Sequence, residues 1–144
     1  MHELLALEAE YPELDFKERI ELATTEGRVE LAADVGAMQV RGGYVIIGVD
    51  GKGTPSGGLD DVDVRLFDEA NLRTKLLKYL PEPLQLRSAV HDVHGHTVAV
   101  IFVGPHPSGC AFFRSVGQYK RREKSVVRFR KGEVFWRHGR VASC

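Results

Sequence analysis

Asp15 and Lys17 stand two residues apart in Glu13-Leu14-Asp15-Phe16-Lys17, a segment that alternates polar and apolar side chains. That period marks a half-buried strand, with Leu14 and Phe16 toward the core and Glu13, Asp15 and Lys17 on the opposite face. A carboxylate beside an ammonium is a pairing that metal-dependent nucleases use. The carboxylate holds a hard divalent cation, and the lysine orients or helps deprotonate the attacking water. The same two groups on an exposed strand also make an ordinary surface ion pair, worth under about 1 kcal/mol. Asp50 follows the β-branched run Tyr44–Val49, where a strand leaves the core. Ligand sites of open α/β sheets gather at such strand ends. An Asx turn capping the next loop is the other use for Asp50. Glu10, five residues before Asp15, adds a third carboxylate, with Glu8 and Glu13 nearby in sequence. Carboxylates that converge repel one another unless a cation sits among them, and Mg²⁺ or Mn²⁺ is the expected guest. Glu10, Asp15 and Asp50 are therefore the candidate metal ligands. With Lys17 they form the candidate catalytic set for phosphodiester hydrolysis.

A second constellation lies near the C-terminal end. Lys120, Arg121, Arg122 and Lys124 form a loop-like basic cluster, and Arg137 follows it. Phe112, Phe113, Tyr119, Phe129, Phe135 and Trp136 interleave with these cations. Cations contact phosphates and release counterions, and aromatic faces stack unpaired bases. The alternation Val127-Arg128-Phe129-Arg130 also fits a strand with a buried apolar side and a wet basic side. Charge is segregated along the chain although the formal net charge is +0. Residues 1–69 carry 16 Asp and Glu against 6 Lys and Arg, while residues 114–140 carry 10 Lys and Arg against 2 Glu. Such asymmetry marks either a polyanion-binding surface or two halves that neutralise each other.

Two other motifs carry less. His91, His94 and His96 straddle a turn with no cysteine beside them, so they read as an exposed polar turn rather than a zinc site. The glycine-rich stretch 48–58 lacks the Lys-Ser/Thr of a Walker A loop and misses the dinucleotide spacing, so it reads as a flexible loop beside Asp50.

These residues need elements to position them. The spacing predicts a short helix over 3–9, the strand at 13–17, a helix over 28–40, a strand over 44–49 and a helix over 63–80. Strands follow at 85–93 and 97–103 around His94-Gly95, then shorter ones at 111–114, 126–130 and 134–137. The expectation is an α/β fold: one domain over residues 1–144, a mixed β-sheet with two to three helices packed on it, and a basic aromatic strand region at 110–142. The 144 residues are 43% hydrophobic and 28% charged, which is globular composition and argues against disorder. The longest apolar run, Val98–Val103, is too short to cross a bilayer, and the acidic start lacks the basic opening of a secretory signal. A cytoplasmic protein with no membrane partner is expected. Two cysteines, Cys110 and Cys144, are able to pair but mark no disulfide framework.

Glu10-Tyr-Pro-Glu-Leu-Asp15-Phe-Lys17 resembles the E-x4-E-F-K opening of the Schlafen/AlbA-type nucleic-acid-binding domain family. Ala37-Met-Gln-Val-Arg-Gly42-Gly43-Tyr-Val-Ile-Ile-Gly48-Val49-Asp50 resembles that family's A-N-x-x-GG core with its GVD end. Gly132-x-x-x-Phe135-Trp136-Arg137-x-Gly139 is similar to its aromatic-x-R-x-G close. The likeness runs from about residue 8 to residue 142. It implies a mixed-sheet α/β fold and RNA or DNA as the partner. Bacterial relatives are labelled DNA-binding or transcriptional-regulator domains. Animal Schlafen cores are endoribonucleases that cut structured RNA such as tRNA through three acids, which fall here on Glu10, Asp15 and Asp50. Two departures stand out: Asp15 replaces the usual Glu, and Gln39-Val40 replace the common Asn-Thr. Schlafen cores use two fused copies of the domain, so a single copy would build a comparable cradle as a homodimer.

Overall fold

Tyr44-Val-Ile-Ile is apolar and largely β-branched, and it forms the heart of the sheet. The computed structural model describes residues 14–57, 59, 61–136 and 139–141. Within them β1 (Leu14–Lys17), β2 (Gly43–Ile47), β3 (Leu86–Val93) and β4 (His96–Val103) make a four-stranded sheet in the order β1-β2-β4-β3. β1 runs parallel to β2, and the other neighbours are antiparallel. A parallel pair needs a crossover, and helix α1 (Thr25–Met38) supplies it.

Register sets the faces. Lys17 pairs with Ile47, Ile47 with Ala99, and Ala99 with Val90. Asp15 and Lys17 therefore share a face with Val45, Ile47, Ala99 and Ile101, which belong to the large core under the helices. Leu14 and Phe16 turn to the opposite face and pack on a smaller cluster around Ile46, Val49 and Val98. The alternation was read correctly, but the polar side of β1 looks toward α1 rather than toward bulk water. Both faces of β2 are apolar, so the large core belongs to the side that the helices cover.

α1 begins earlier than its hydrophobic period suggests. Thr24 caps it, accepting from the Gly27 amide at 3.0 Å. Gly27 is required there, because a Cβ would lie 1.9 Å from the carbonyl oxygen of Glu21. Val29, Leu31, Ala32, Val35 and Met38 bury one broad side of the helix, each large side chain contributing about 1.5–3 kcal/mol. Gly42, at φ 82°, turns the chain out of the helix and into β2.

The helix expected over 63–80 is two helices, α2 (Asp61–Leu66) and α3 (Glu69–Leu76). Asp68 starts a new helix by accepting from the Asn71 amide, and the Asn71 side chain donates to the Leu66 carbonyl across 2.7 Å. Phe67 is buried at the break. A capping carboxylate there outweighs an uninterrupted apolar stripe.

The chain then crosses back over α1. No strand forms at 111–114; instead Phe113 is buried and held by main-chain bonds to Glu133 and Gly132. The basic segment read as a loop is a hairpin of β5 (Gly117–Arg121) and β6 (Lys124–Phe129). Its two-residue turn holds Arg122 at φ 52° and Glu123 at φ 67°, the type I′ geometry that matches strand twist. Sequence inspection missed it because neither turn residue is Gly, Asn or Asp. A second hairpin pairs β7 (Val134–Trp136) with β8 (Gly139–Val141). Cys110 is buried and disulfide-bonded. No helix among the described residues is long and apolar enough to cross a membrane. The helix expected at 3–9 and the residue Glu13 lie outside the described residues.

Candidate nucleic-acid interface

β1 and α1 bring three charges together. The Lys17 ammonium lies 3.2 Å from Asp15 Oδ2 and 3.0 Å from Asp34 Oδ2. Burial works against the ammonium, but the carboxylates of Asp34 and Asp15 outweigh it and hold its pKa above the ordinary lysine value. Burial raises the Asp34 carboxyl; Lys17 offsets this only in part, and Asp15 adds to the rise. Lys17 and Asp34 line a cleft of about 810 Å³ between α1, the 19–25 loop and the β5–β6 hairpin. Glu26, Glu30, Tyr119 and Lys120 line its walls.

Asp50 is engaged elsewhere. Its Oδ1 accepts from the Lys52 amide at 2.8 Å and the Thr54 amide at 3.1 Å, and its own amide donates to the Thr54 carbonyl. The Thr54 and Lys52 amides hold its carboxyl below the usual carboxylate range. This is the Asx turn that the sequence left open, and Asp50 is not among the residues lining the cleft. Glu10 and Arg137 lie outside the described residues. Asp15 and Lys17 are thus brought together as expected, while Asp50 serves its own loop. Among the described residues no group of three His, Cys, Asp or Glu side chains could hold a metal ion. His91, His94 and His96 sit exposed on the β3–β4 hairpin.

The charge asymmetry resolves in part within the chain. Glu26, Glu30 and Asp34 recur every four residues, so they form one stripe along α1. Arg121 grips Glu26 with two nitrogens, Nε at 3.3 Å from Oε1 and Nη2 on Oε2. That hydrogen bonding keeps the Glu26 carboxyl below its ordinary range. Arg128 Nε donates to Glu30 Oε1 at 3.2 Å, and the Tyr119 hydroxyl donates to Glu30 Oε2 at 2.8 Å. Sequence reading missed this acidic stripe. Its signal was the four-residue spacing, obscured because Glu26 lies before the expected helix start.

The rest of the basic region stays open. Lys120, Arg122 and Lys124 are exposed on the β5–β6 hairpin, and Arg130 and Lys131 are exposed just after it. None of the five makes an ion pair among the described residues. Three of the six interleaved aromatics, Phe113, Phe129 and Phe135, have gone inside. Phe113 stacks on Phe129 with ring centroids 3.8 Å apart, and Tyr79 and Phe135 meet Phe129 edge-on. Phe112, at 46% exposed, offers the one open phenylalanine face in this group. The Trp136 side chain lies outside the described residues.

No family model matches the chain, and no curated protein matches it either. Among solved structures it is similar to the DIP2311 protein from Corynebacterium diphtheriae, with a TM-score of 0.51 and 19% identity. The match covers 88% of this chain and 25% of that one, so the chain spans about a quarter of its neighbour's length. A likeness at this identity supports the fold: an α/β domain built on a mixed four-stranded sheet.

Proposed function

We propose that the domain binds nucleic acid by its sugar-phosphate backbone and does not cut it. The observation that carries this reading is the run of five exposed cations, Lys120, Arg122, Lys124, Arg130 and Lys131, with no ion-pair partner among the described residues. Three of them ride on a hairpin whose register fixes their places, Lys120 and Lys124 on its two faces with Arg122 at the turn, which presents a charged tip. Unpaired cations on a rigid ribbon suit phosphates and supply counterion release on binding. The burial of Phe113, Phe129 and Phe135 removes three of the six candidate base-stacking platforms, which favours backbone contact over base capture. The motif resemblance to Schlafen/AlbA-type domains supports nucleic acid as the partner and is compatible with both binding and cutting.

The competing reading is a Mg²⁺- or Mn²⁺-dependent endoribonuclease acting through Glu10, Asp15 and Asp50, with Lys17 assisting water. Asp15 beside Lys17 supports it. Against it, Asp50 Oδ1 is engaged by its own loop amides and Asp50 is not among the residues lining the cleft that holds Lys17. Fluorescence anisotropy with labelled duplex DNA and RNA, titrated against salt, tests the binding reading. Arg122→Gln and Lys124→Gln are each expected to flatten the log–log salt slope by about 0.9 on duplex DNA. Unchanged slopes would discard this face. An RNA cleavage assay with Mn²⁺ separates the two readings. Cleavage that disappears in EDTA and in Asp50→Asn would install the enzyme in place of the binding module.

A further inference from the structure

We propose that Glu26 and Glu30 are a built-in competitor for the polyanion, each holding a hairpin arginine that a phosphate would otherwise take. This rests on the nucleic-acid reading and concerns the regulation of that same surface. Arg121 and Arg128 belong to the strands that carry the open cations, yet both are turned to α1. The fork that Arg121 makes with Glu26 is the fork a guanidinium makes with a phosphate. Both oxygens of Glu30 are taken as well, one by Arg128 and one by Tyr119. Successive acids of the stripe are offset by about 6 Å of helix rise, so they present a short anionic ladder to the ribbon.

The two outer pairs differ from the inner one in a way that permits exchange. Arg121 and Glu26 are 60% and 38% exposed and Arg128 and Glu30 are 36% and 38% exposed, against 30% and 23% for Lys17 and Asp34. Water-screened pairs are weak, so the pair of Arg121 with Glu26 is the most readily replaced of the three. A polyanion seated on Arg122 and Lys124 arrives next to Arg121, the cross-strand partner of Lys124, and meets Glu26 as both rival and repellent. Binding would therefore proceed with a reduced set of cations until the stripe is neutralised. The stripe restrains non-specific adhesion and leaves Lys17 and Asp34 at the cleft floor undisturbed.

The test uses the whole chain and a short labelled DNA duplex, with anisotropy measured across salt for four proteins. These are the wild type, Glu26→Gln, the double variant Glu26→Gln/Glu30→Gln, and the double control Glu18→Gln/Glu82→Gln. The control acids are exposed and make no ion pair with the hairpin. The stripe double variant is expected to bind about tenfold tighter than its charge-matched control, with a log–log salt slope steeper by about 1–2 as two arginines are freed. Arg121→Gln is expected to reduce affinity more in the Glu26→Gln background than in the wild type. Equal tightening in stripe and control variants, or an unchanged slope, overturns the competitor while the binding reading stands. Failure of the wild type to bind duplex even at low salt overturns the binding reading itself. Glu26→Gln touches a water-screened pair and the first turn of α1 but no core side chain, so it decides the matter even if the double variant folds poorly.

Discussion

Arg128 on β6 donates from Nε to Glu30 Oε1 across 3.2 Å while its guanidinium lies 5.3 Å from the centroid of the Phe135 ring. One side chain thus joins the acidic stripe of α1 to the aromatic cluster beneath the hairpin. The ribbon is held by stacked rings from below and by ion pairs from the side. The rings supply the stability and the pairs supply the orientation, because exposed pairs contribute little while buried rings contribute several kcal/mol.

Phe113 is the keystone of that cluster. It is 1% exposed, stacked on Phe129, and its ring would lie 2.8 Å from a Cβ added at Gly36 on α1. Phe113→Ala is expected to destabilise the domain by about 3–5 kcal/mol, read from urea unfolding. Limited proteolysis should then cut first within β5 and β6, where Phe129 has lost its stacking partner.

Gly117 faces Phe129 across the hairpin, and a Cβ there would lie 2.2 Å from the ring. The ring has no room to retreat because Phe113 backs it. Gly117→Ala is expected to cost about 3 kcal/mol in chemical denaturation, at the high end for overpacking. A neutral result would mean that the ring and the strand shift together.

Lys17→Met strands Asp15 and Asp34 beside each other without their ammonium. A carboxyl whose folded pKa is raised favours folding below its unfolded pKa and loses that contribution as pH rises through the folded value. Asp34 is already of this kind, and removing Lys17 raises it further. The variant is expected to lose about 2 kcal/mol at neutral pH and to recover part of it toward about pH 5, in urea titrations at the two values. Lys17 itself contributes below its ordinary pKa of 10.5 and loses that contribution as pH rises through its raised folded value, so the variant should lack the wild type's alkaline decline.

Asp50 titrates in the opposite sense. Its folded pKa is depressed, so its contribution is present above the ordinary value of 3.8 and is lost as pH falls through the lower folded value. Asp50→Asn keeps an oxygen for the Lys52 and Thr54 amides but cannot titrate. Its unfolding midpoint is expected to lie below wild type at about pH 5 and to fall less steeply toward about pH 3, where the two converge. A midpoint equal to wild type at about pH 5 would show that the acceptor oxygen, not the charge, holds the loop.

Local pattern was enough to find the strands at 44–49, 85–93 and 97–103, the helix that ends near Gly42-Gly43, and the partnership of Asp15 with Lys17. Each rests on periodicity or on side chains one strand step apart, which neighbouring residues dictate among themselves. Asp34 joining Lys17, and Glu26 and Glu30 claiming Arg121 and Arg128, could not be read that way. Those partners stand far apart along the chain, and only the packing of β1 and of the hairpin against α1 brings them within reach. The same folding step turned three aromatic side chains from candidate stacking faces into core, because burying a phenyl ring is worth more than leaving it to water. Charge composition left open whether the basic segment pairs with the acidic half; tertiary packing decided that Arg121 and Arg128 do, while Lys120, Arg122 and Lys124 stay exposed.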